Sequence, residues 1–566
     1  MSSRAFVATF VAFSIVASAC ASATPTASPS GAEPTVQASQ AVVSSPPACL
    51  ETPAAEPDVP WWADRVFYEV FVRSFADSDG DGIGDLRGLA QRLDYLNDGD
   101  PATDDDLGVT GLWLMPVAES PSYHGYDVID YRAVEADYGT ADDFKALMAA
   151  AEERGIAIVV DLVINHSSRD HPWFQDARAA GSEHDDWYVW ADERPPVARS
   201  DGSRVWHPDG DRFYYGYFWE GMPDLNVQNP EVTAELGSIG EFWLQEMGVA
   251  GFRIDAARHL IEDGERLENT DATFDWLVDF RSRLKEAEPE ALVLGEVWDA
   301  SSMSARYVRE GALDLTFDFG LASATITSLR SGDAGSLRAS QGEVAELYPP
   351  GGLATFLTNH DQDRIVSELD GDVGAARAAA TILLTGSGTP FLYYGEEIGL
   401  TGRKPDERIR TPMRWDASEP AAGFSDAAPW QPLGDDPAGT DVATEAADPD
   451  SLLSAYRSLV GLRTANRALA IGEQLPVDAE GASVVAYLRH LPGQTMLVVI
   501  NLADETVDAP VLSLERGPLC GTPSARVVYS AGEAKDPVVG ATGGFDAYVP
   551  VPRLEPREGI VIELGA

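Results

Sequence analysis

The sequence predicts an α/β protein. Its expected architecture is a (β/α)8 TIM barrel, with an irregular subdomain inserted after strand 3 and a C-terminal antiparallel β-sandwich domain. Three observations point there. Between residues 61 and 471, eight apolar, β-branched runs alternate with amphipathic stretches, the alternation of a parallel sheet. Each run ends in polar or charged residues, as barrel strands do at the mouth that carries a site. From about Glu473 the texture changes to short alternating strands between Gly and Pro turns, the pattern of antiparallel sheet.

The elements follow in order. Residues 1–20, MSSRAFVATFVAFSIVASAC, hold one positive charge at Arg4, an apolar stretch from Ala5 to Val16, and then small residues. That is a signal peptide, too short to span a membrane comfortably. Its ending Ala17-Ser18-Ala19-Cys20 resembles a bacterial lipobox, which predicts a lipid on Cys20; simple cleavage near Ala19 is the alternative. Residues 21–60 are small and Pro-rich, cannot bury a core, and read as a flexible tether. The expected barrel occupies 61–166 and 227–471. Its candidate strands are Val66–Phe75, Val109–Val117, Gly155–His166, Val249–Ala257, Ala291–Trp298, Leu313–Phe319, Ala354–Gln362 and Thr389–Glu396. Ala141–Glu153, Glu231–Met247 and Asp275–Glu288 are candidate helices between them. Residues 167–226 are too long for a simple loop and rich in Trp, Tyr, Gly and Asp, so they read as a subdomain beside the barrel mouth. A last helix, Leu452–Ala468, precedes the β domain, 472–566.

Charge narrows the function. With 40 basic and 92 acidic residues the net charge is −52, so phosphates and anionic lipid are repelled and nucleic-acid binding is excluded. Neutral substrates remain. The chain is expected to be a monomer that meets the membrane only through its lipid, on the extracellular face; secretion is the alternative. Three cysteines are too few for a disulfide scaffold. With Cys20 taken by lipid, Cys49 and Cys520 form the one possible intramolecular pair in an oxidising compartment, two unrelated thiols being the alternative.

The strand ends carry the chemistry. The third run closes on Asp161-Leu-Val-Ile-Asn165-His166, and the fourth on Gly251-Phe-Arg253-Ile-Asp255, followed by Ala256-Ala-Arg258-His259. The fifth gives Gly295-Glu296-Val297-Trp298, and the seventh Thr358-Asn359-His360-Asp361. Asp255, Glu296 and Asp361 therefore stand at three strand ends, which a closed barrel gathers at one mouth. Charge there is costly unless used or paired. Glycoside cleavage needs such a set: a carboxylate to attack the anomeric carbon and a carboxylic acid to protonate the leaving oxygen. Any one of these segments alone reads equally well as a rim ion pair; four in order do not.

In that order, the four segments resemble the signature regions of the α-amylase family, glycoside hydrolase family 13. The resemblance is close from Val66 to Asp416 and looser beyond. It implies a retaining double displacement at an α-glucosidic bond, with Asp255 as nucleophile, Glu296 as general acid/base and Asp361 as transition-state stabiliser. Arg253 lies two residues before Asp255, on the same strand face, and is expected to hold it ionised. By the same resemblance His166 and His360 bind the sugar in the cleavage subsite. In Tyr123-His124-Gly125-Tyr126-Asp127, Tyr126 stacks under the ring and His124 binds its hydroxyls. The segment Met222–Asn226, MPDLN, is similar to secreted or lipoprotein bacterial α-amylases of the group intermediate between oligo-1,6-glucosidases and neopullulanases. Ala256 after the nucleophile and the pair Arg258-His259 favour internal α-1,4 bonds of starch and maltooligosaccharides over α-1,6 bonds, with Arg258 reaching a leaving-group subsite. An α-glucosidase or 4-α-glucanotransferase using the same triad is the first alternative. A non-catalytic sugar-binding relative comes last, because all three carboxylates are present.

Two Ca2+ sites are expected. Asp77-Ser-Asp79-Gly-Asp81-Gly-Ile83-Gly-Asp85 alternates acids with glycines, which wraps oxygens round a hard cation. The ligands would be Asp77, Asp79, Asp81, Asp85 and the Ile83 carbonyl. Gly88 stands where an EF-hand needs a bidentate Glu, so the loop is not one. The same loop is a Ca2+ site in many members of the family. The resemblance also places a second, open-ended site at Asn165, Asp224 and the His259 carbonyl, tying the inserted subdomain to the barrel.

Overall fold

A computed structural model describes residues 58–565. The expected signal peptide, Cys20, nearly all of the tether and Cys49 lie outside the described residues. Eight parallel strands close into a barrel: β1 (Phe67–Val70), β2 (Gly111–Leu114), β3 (Ala157–Leu162), β4 (Gly251–Ile254), β5 (Leu292–Gly295), β6 (Leu315–Phe317), β7 (Leu353–Phe356) and β8 (Thr389–Tyr393). Each pairs with the next, and β8 pairs with β1. All eight expected runs supply a strand, but the hydrogen-bonded parts are shorter than the apolar runs, whose polar ends become the loops at the mouth.

Strand periodicity sorts the side chains. Phe67, Trp113, Val159, Leu294, Phe317, Phe356 and Phe391 share one buried cluster, the barrel lumen. Their neighbours Tyr68, Leu112, Val160, Val293 and Leu392 join a second cluster that packs outward on the helices. Full burial of each such side chain is worth about 1.5–3 kcal/mol. The lumen floor is aromatic: Phe67 and Phe391, in register, stack 4.6 Å apart, and Phe317 meets Phe391 edge-on at 5.0 Å. Glu69 is two residues beyond Phe67 and Asp161 two beyond Val159, so both face the same lumen nearer the mouth. Asp161 pairs in register with Arg253, which puts their side chains side by side.

The helices that cover the strands carry the expected stripes. α1 (Ala141–Glu152) buries Phe144, Leu147 and Ala151, and Thr140 and Asp143 close a reciprocal capping box at its start. α2 (Pro230–Gln245) and α3 (Asp271–Ala287) flank β4, and α4 (Phe319–Ser331), α5 (Gly335–Leu347) and α6 (Val373–Thr385) follow. The last expected helix breaks at Asn466, giving α7 (Leu452–Ala465) and a short helix, Arg467–Ile471. Between β3 and α2 lie a short helix, Pro172–Ala177, and a three-stranded antiparallel sheet. That segment is stitched to the barrel end: the Leu225 N–H donates to the Asn165 carbonyl at 2.9 Å, and Tyr131 Oη donates to the His166 carbonyl at 2.7 Å.

Beyond α7 seven strands form one antiparallel order: β13 (Ser524–Tyr529), β15 (Gly559–Gly565), β11 (Gln494–Asn501), β10 (Val484–Leu491), β9 (Glu473–Ala479), β12 (Leu512–Leu514) and β14 (Phe545–Tyr548). β9 pairs first with β10 and then with β12, so the two halves enclose a core of Val484, Leu488, Leu497, Leu512, Phe545 and Ile562. The opposite parity, Val485, Tyr487, Met496, Val498 and Ile500, belongs to the same core as the barrel helices. Two fully buried arginines cap the end of α6 there. Arg463 donates to the Leu384 and Gly386 carbonyls, at 3.1 and 3.0 Å, and Arg489 to those of Thr385 and Gly472, at 2.8 and 2.9 Å. They satisfy carbonyls that a helix end leaves without partners.

Candidate active site

One guanidinium organises the mouth. Arg253, on β4 and 1% exposed, donates from Nη1 to Asp161 Oδ1 and Asp255 Oδ1, both at 2.6 Å, and from Nη2 to Glu296 Oε2 at 2.8 Å. The Arg253–Asp255 pair expected from their spacing is therefore present, and the same side chain also holds Glu296. Ala256 turns the chain after Asp255 with φ +49°, and this aims its N–H at Glu296 Oε2, 3.2 Å away. A small residue suits that left-handed position, where a β-branched one is strongly disfavoured. Burial pushes the Asp255 carboxyl up and Arg253 opposes it; burial also pushes Glu296 up, against Arg253. A buried carboxyl that keeps its proton to higher pH suits an acid catalyst.

Asp361 has the opposite setting. Burial would raise it, but His360 and Arg410 hold its carboxyl well below the usual carboxylate range. Its Oδ2 lies 3.1 Å from His360 Nε2 and its Oδ1 2.9 Å from Arg410 Nη2. His360 is fully buried, with Nδ1 2.5 Å from Glu69 Oε1 and Nε2 2.7 Å from Tyr126 Oη. Tyr126 lies near-parallel to the His360 ring at 5.6 Å, and its hydroxyl reaches Asp161 Oδ2 at 3.2 Å. Burial pushes Asp161 up to about 7, even with Arg253 beside it, and Asp255 adds to the rise.

The remaining expected sugar ligands ring this centre. His166 Nε2 is 3.1 Å from the Tyr126 carbonyl, and burial pulls its imidazole down to about 4. His124 Nδ1 sits 3.0 Å from Ser122 Oγ; burial pulls it down as well, although Asp127 works against that. Arg258 donates from Nη1 to the Trp298 carbonyl and reaches Asp299 and Glu268, each at 3.4 Å, so its head is held against the loop after β5. Beside it stand exposed rings: Trp298, 45% exposed and stacked on Phe319 at 4.6 Å, and Phe218, 5.2 Å from His166.

Four further charged residues surround these strand ends: Asp161, Glu69, Arg410 and Glu262. None of the four stands out at a strand end in the sequence. Parity was the available signal for two of these: an acid two residues beyond an inward aromatic or valine must point into the lumen. Arg410 and Glu262 come from loops whose paths periodicity does not report.

The metal expectations fare unequally. Carboxylate oxygens of Asp77, Asp79 and Asp85 converge within 4.8 Å of one another. Asp77 Oδ1 is turned by the Asp79 and Gly80 N–H groups, and Asp85 Oδ1 caps the next helix at Gly88. These three fit a Ca2+ ligand set. Asp81 lies outside it and accepts the Ile83 N–H at 2.8 Å. At the second site Asn165 Nδ2 donates to Asp224 Oδ2 at 3.1 Å, so an amide N–H, not an oxygen, faces the carboxylate. Burial and Glu262 push Asp224 well up, and burial pushes Glu262 up to about 7. His259 stacks on Tyr217 at 3.9 Å.

The family described as alpha amylase, catalytic domain, matches residues 69–472. Alpha-amylase 3 of Dictyoglomus thermophilum is 39% identical over 451 residues, 78% of this chain and 85% of that protein. A probable alpha-glucosidase of Rhizobium meliloti is 32% identical over 530 residues, 81% and 93% of the two chains. The crystal structure of an alpha-amylase from H. orenii superposes with a TM-score of 0.74 at 39% identity, over 89% of this chain and 99% of that one.

Proposed function

The chain belongs to the α-amylase catalytic-domain family, and from that premise we propose that it is a retaining hydrolase that cleaves internal α-1,4-glucosidic bonds of starch and maltooligosaccharides. Family membership makes it a glycoside hydrolase acting on α-glucans; the linkage, the internal cut and the stereochemistry are the proposal. The observation that carries it is that Asp255 and Glu296 are held on the two terminal nitrogens of one buried guanidinium. Retention needs about 5–5.5 Å between the two carboxyls and inversion about 6.5–9.5 Å, and a shared guanidinium anchor supports the retaining reading.

In this reading Asp255, ionised beside Arg253, attacks the anomeric carbon. Glu296 gives its proton to the leaving oxygen, and a glycosyl ester forms on Asp255. Glu296 then takes a proton from water, which attacks the anomeric carbon from the face the leaving group vacated; the bond from that carbon to Asp255 breaks and the Asp255 carboxylate is released. Asp361, held ionised, binds sugar hydroxyls as the ring flattens. Tyr126 offers its ring face, and Trp298 and Phe218 offer apolar faces beside Arg258.

The test is maltoheptaose digestion followed by 1H NMR and chromatography. The first product is expected in the α configuration, with several chain lengths appearing together; a β first product overturns retention. Asp255→Asn should lower kcat by several orders of magnitude with the fold intact, and near wild-type hydrolysis by that variant ends the assignment. Glucose as the sole early product would favour the second reading, an α-glucosidase, which the Rhizobium relative supports. Products longer than the substrate would favour glucanosyl transfer.

We further propose that Asp77, Asp79 and Asp85 hold Ca2+, which would bridge carboxylates that otherwise repel. The second site at Asn165, Asp224 and His259 has weaker support, because the amide faces the wrong way. A lipid on Cys20 would hold a monomer on the outer face of the membrane, and a Cys49–Cys520 disulfide would tie the tether to the β domain.

A further inference from the structure

We propose that Glu69 is a positioning residue of this site: through His360 it keeps both imidazole nitrogens protonated, and so sets the direction of a hydrogen-bond chain that ends on Asp255. The proposal rests on the catalytic reading given above. It begins from Glu69 itself, a carboxylate 2% exposed inside an otherwise apolar strand, with Oε1 2.5 Å from His360 Nδ1. Charge in such a place is retained only when paired.

His360 lies between two carboxylates. Glu69 faces Nδ1, and Asp361 Oδ2 faces Nε2 at 3.1 Å. A neutral imidazole has one N–H and one lone pair, so it would turn a lone pair toward one of these anions; the imidazolium carries an N–H on each side, donating to Glu69 from Nδ1 while its charge pairs with Asp361 beside Nε2. Once Nε2 is a donor, Tyr126 Oη, 2.7 Å away, accepts from it. The tyrosine hydrogen is then free for Asp161 Oδ2, at 3.2 Å. Asp161 Oδ1 accepts from Arg253 Nη1, and the same nitrogen donates to Asp255. Every bond from β1 to the nucleophile thus has a fixed donor. If His360 were neutral with its proton on Nδ1, Nε2 would accept instead. Tyr126 would turn its hydroxyl to His360, Asp161 would lose a donor, and Asp361 would face a lone pair.

The other groups around the ring do not supply this. Trp113 on β2 meets it edge-on at 5.5 Å and carries no charge. Tyr393 on β8, in register with Glu69, is a neutral phenol held protonated by burial. Arg410 donates from Nε to the His360 carbonyl at 2.9 Å, and its charge opposes the imidazolium. Asp161 and Asp255 favour it from the lumen side, but each already shares Arg253. Burial pulls the imidazole down, yet Asp361 and Glu69 outweigh it and push His360 up to about 10.

The test uses the full chain labelled with 15N-histidine, the His360 ring signals being identified by their loss in His360→Gln. In the wild type both ring nitrogens should stay protonated through pH 9. In Glu69→Gln the ring should titrate about two pH units lower, the size of an adjacent opposite charge. Glu69→Asp, which keeps the charge, should recover at least half of that shift. With values near 10 and 8, the ratio of Glu69→Gln to wild-type kcat/KM should fall about tenfold from pH 6 to pH 9, whatever limb Glu296 imposes on both. A shift under half a unit in folded Glu69→Gln overturns the proposal. So does an equal loss of activity at every pH with the ring unchanged, which is a packing effect. If Glu69→Gln does not fold, the wild-type ring decides: one N–H at pH 8 refutes the proposal, and two support it. A wild type that titrates as stated but cleaves no glucan would refute the catalytic reading and leave the Glu69–His360 pair standing.

Discussion

Arg253→Lys separates charge from geometry at the centre of the site. The guanidinium makes three charge-assisted bonds, two at 2.6 Å and one at 2.8 Å, through two nitrogens of a rigid fork. An ammonium is a point donor on a flexible stem and cannot hold Asp161, Asp255 and Glu296 together. Losing one or two such bonds, at about 1.5–3 kcal/mol each, gives a stability loss of about 1.5–6 kcal/mol, which brackets the roughly 3–5 kcal/mol seen when a buried ion pair is broken. The carboxyl left without its donor should rise by about 1–3 pH units. For Asp255 this means a protonated, inert nucleophile at low pH, so the acid limb of kcat/KM moves to higher pH and activity recovers as pH rises. Stability moves the other way. Carboxyls that bind protons more tightly folded than unfolded make the folded state lose stability with rising pH, so the deficit against wild type should grow from pH 5 to pH 8. Urea unfolding and maltoheptaose kinetics across that range measure both. A variant whose acid limb overlays the wild type, with a deficit independent of pH, refutes the reasoning.

Ca2+ at a hundredfold excess over Kd should stabilise the chain by about 2.7 kcal/mol, and Asp77→Asn should abolish that response; melting indifferent to Ca2+ and to chelator would remove the site. Cys20→Ser should release the protein from membranes into the medium, whereas a wild type already soluble with an unmodified N-terminus contradicts the anchor. Thiol titration of the denatured, unreduced protein should find none; two reactive thiols exclude a Cys49–Cys520 bond, whose closure of a long loop is worth up to about 5 kcal/mol.

The eight strands were legible because a strand buried on both faces is continuously apolar and ends where its polar residues begin. The same rule exposed Asp255, Glu296 and Asp361, each just past an apolar run. What it hid lies within the runs. Glu69 and Asp161 interrupt Phe67–Val70 and Ala157–Leu162 and were absorbed into the strands, although their parity with Phe67 and Val159 points both into the lumen. Arg410 reaches Asp361 from a loop after β8, and no local pattern reports a contact across 49 residues. The acidic loop was legible as composition, but composition could not tell which of its carboxylates converge: Asp77, Asp79 and Asp81 each accept the N–H two residues on, and the oxygens that come together are those of Asp77, Asp79 and Asp85.

The C-terminal sheet limits how this chain can be cut and recombined. One of its faces is continuous with the core of the barrel helices, and Arg489 caps carbonyls at the end of α6 and at Gly472. A chain stopped near residue 472 would bare that helix surface and orphan those carbonyls at once. Although the active-site residues all lie before the sheet begins, the barrel is not a detachable module. Shuffling by gene fusion has to move the two together, and a swapped β domain must bring both the matching apolar face and an arginine at the position of Arg489.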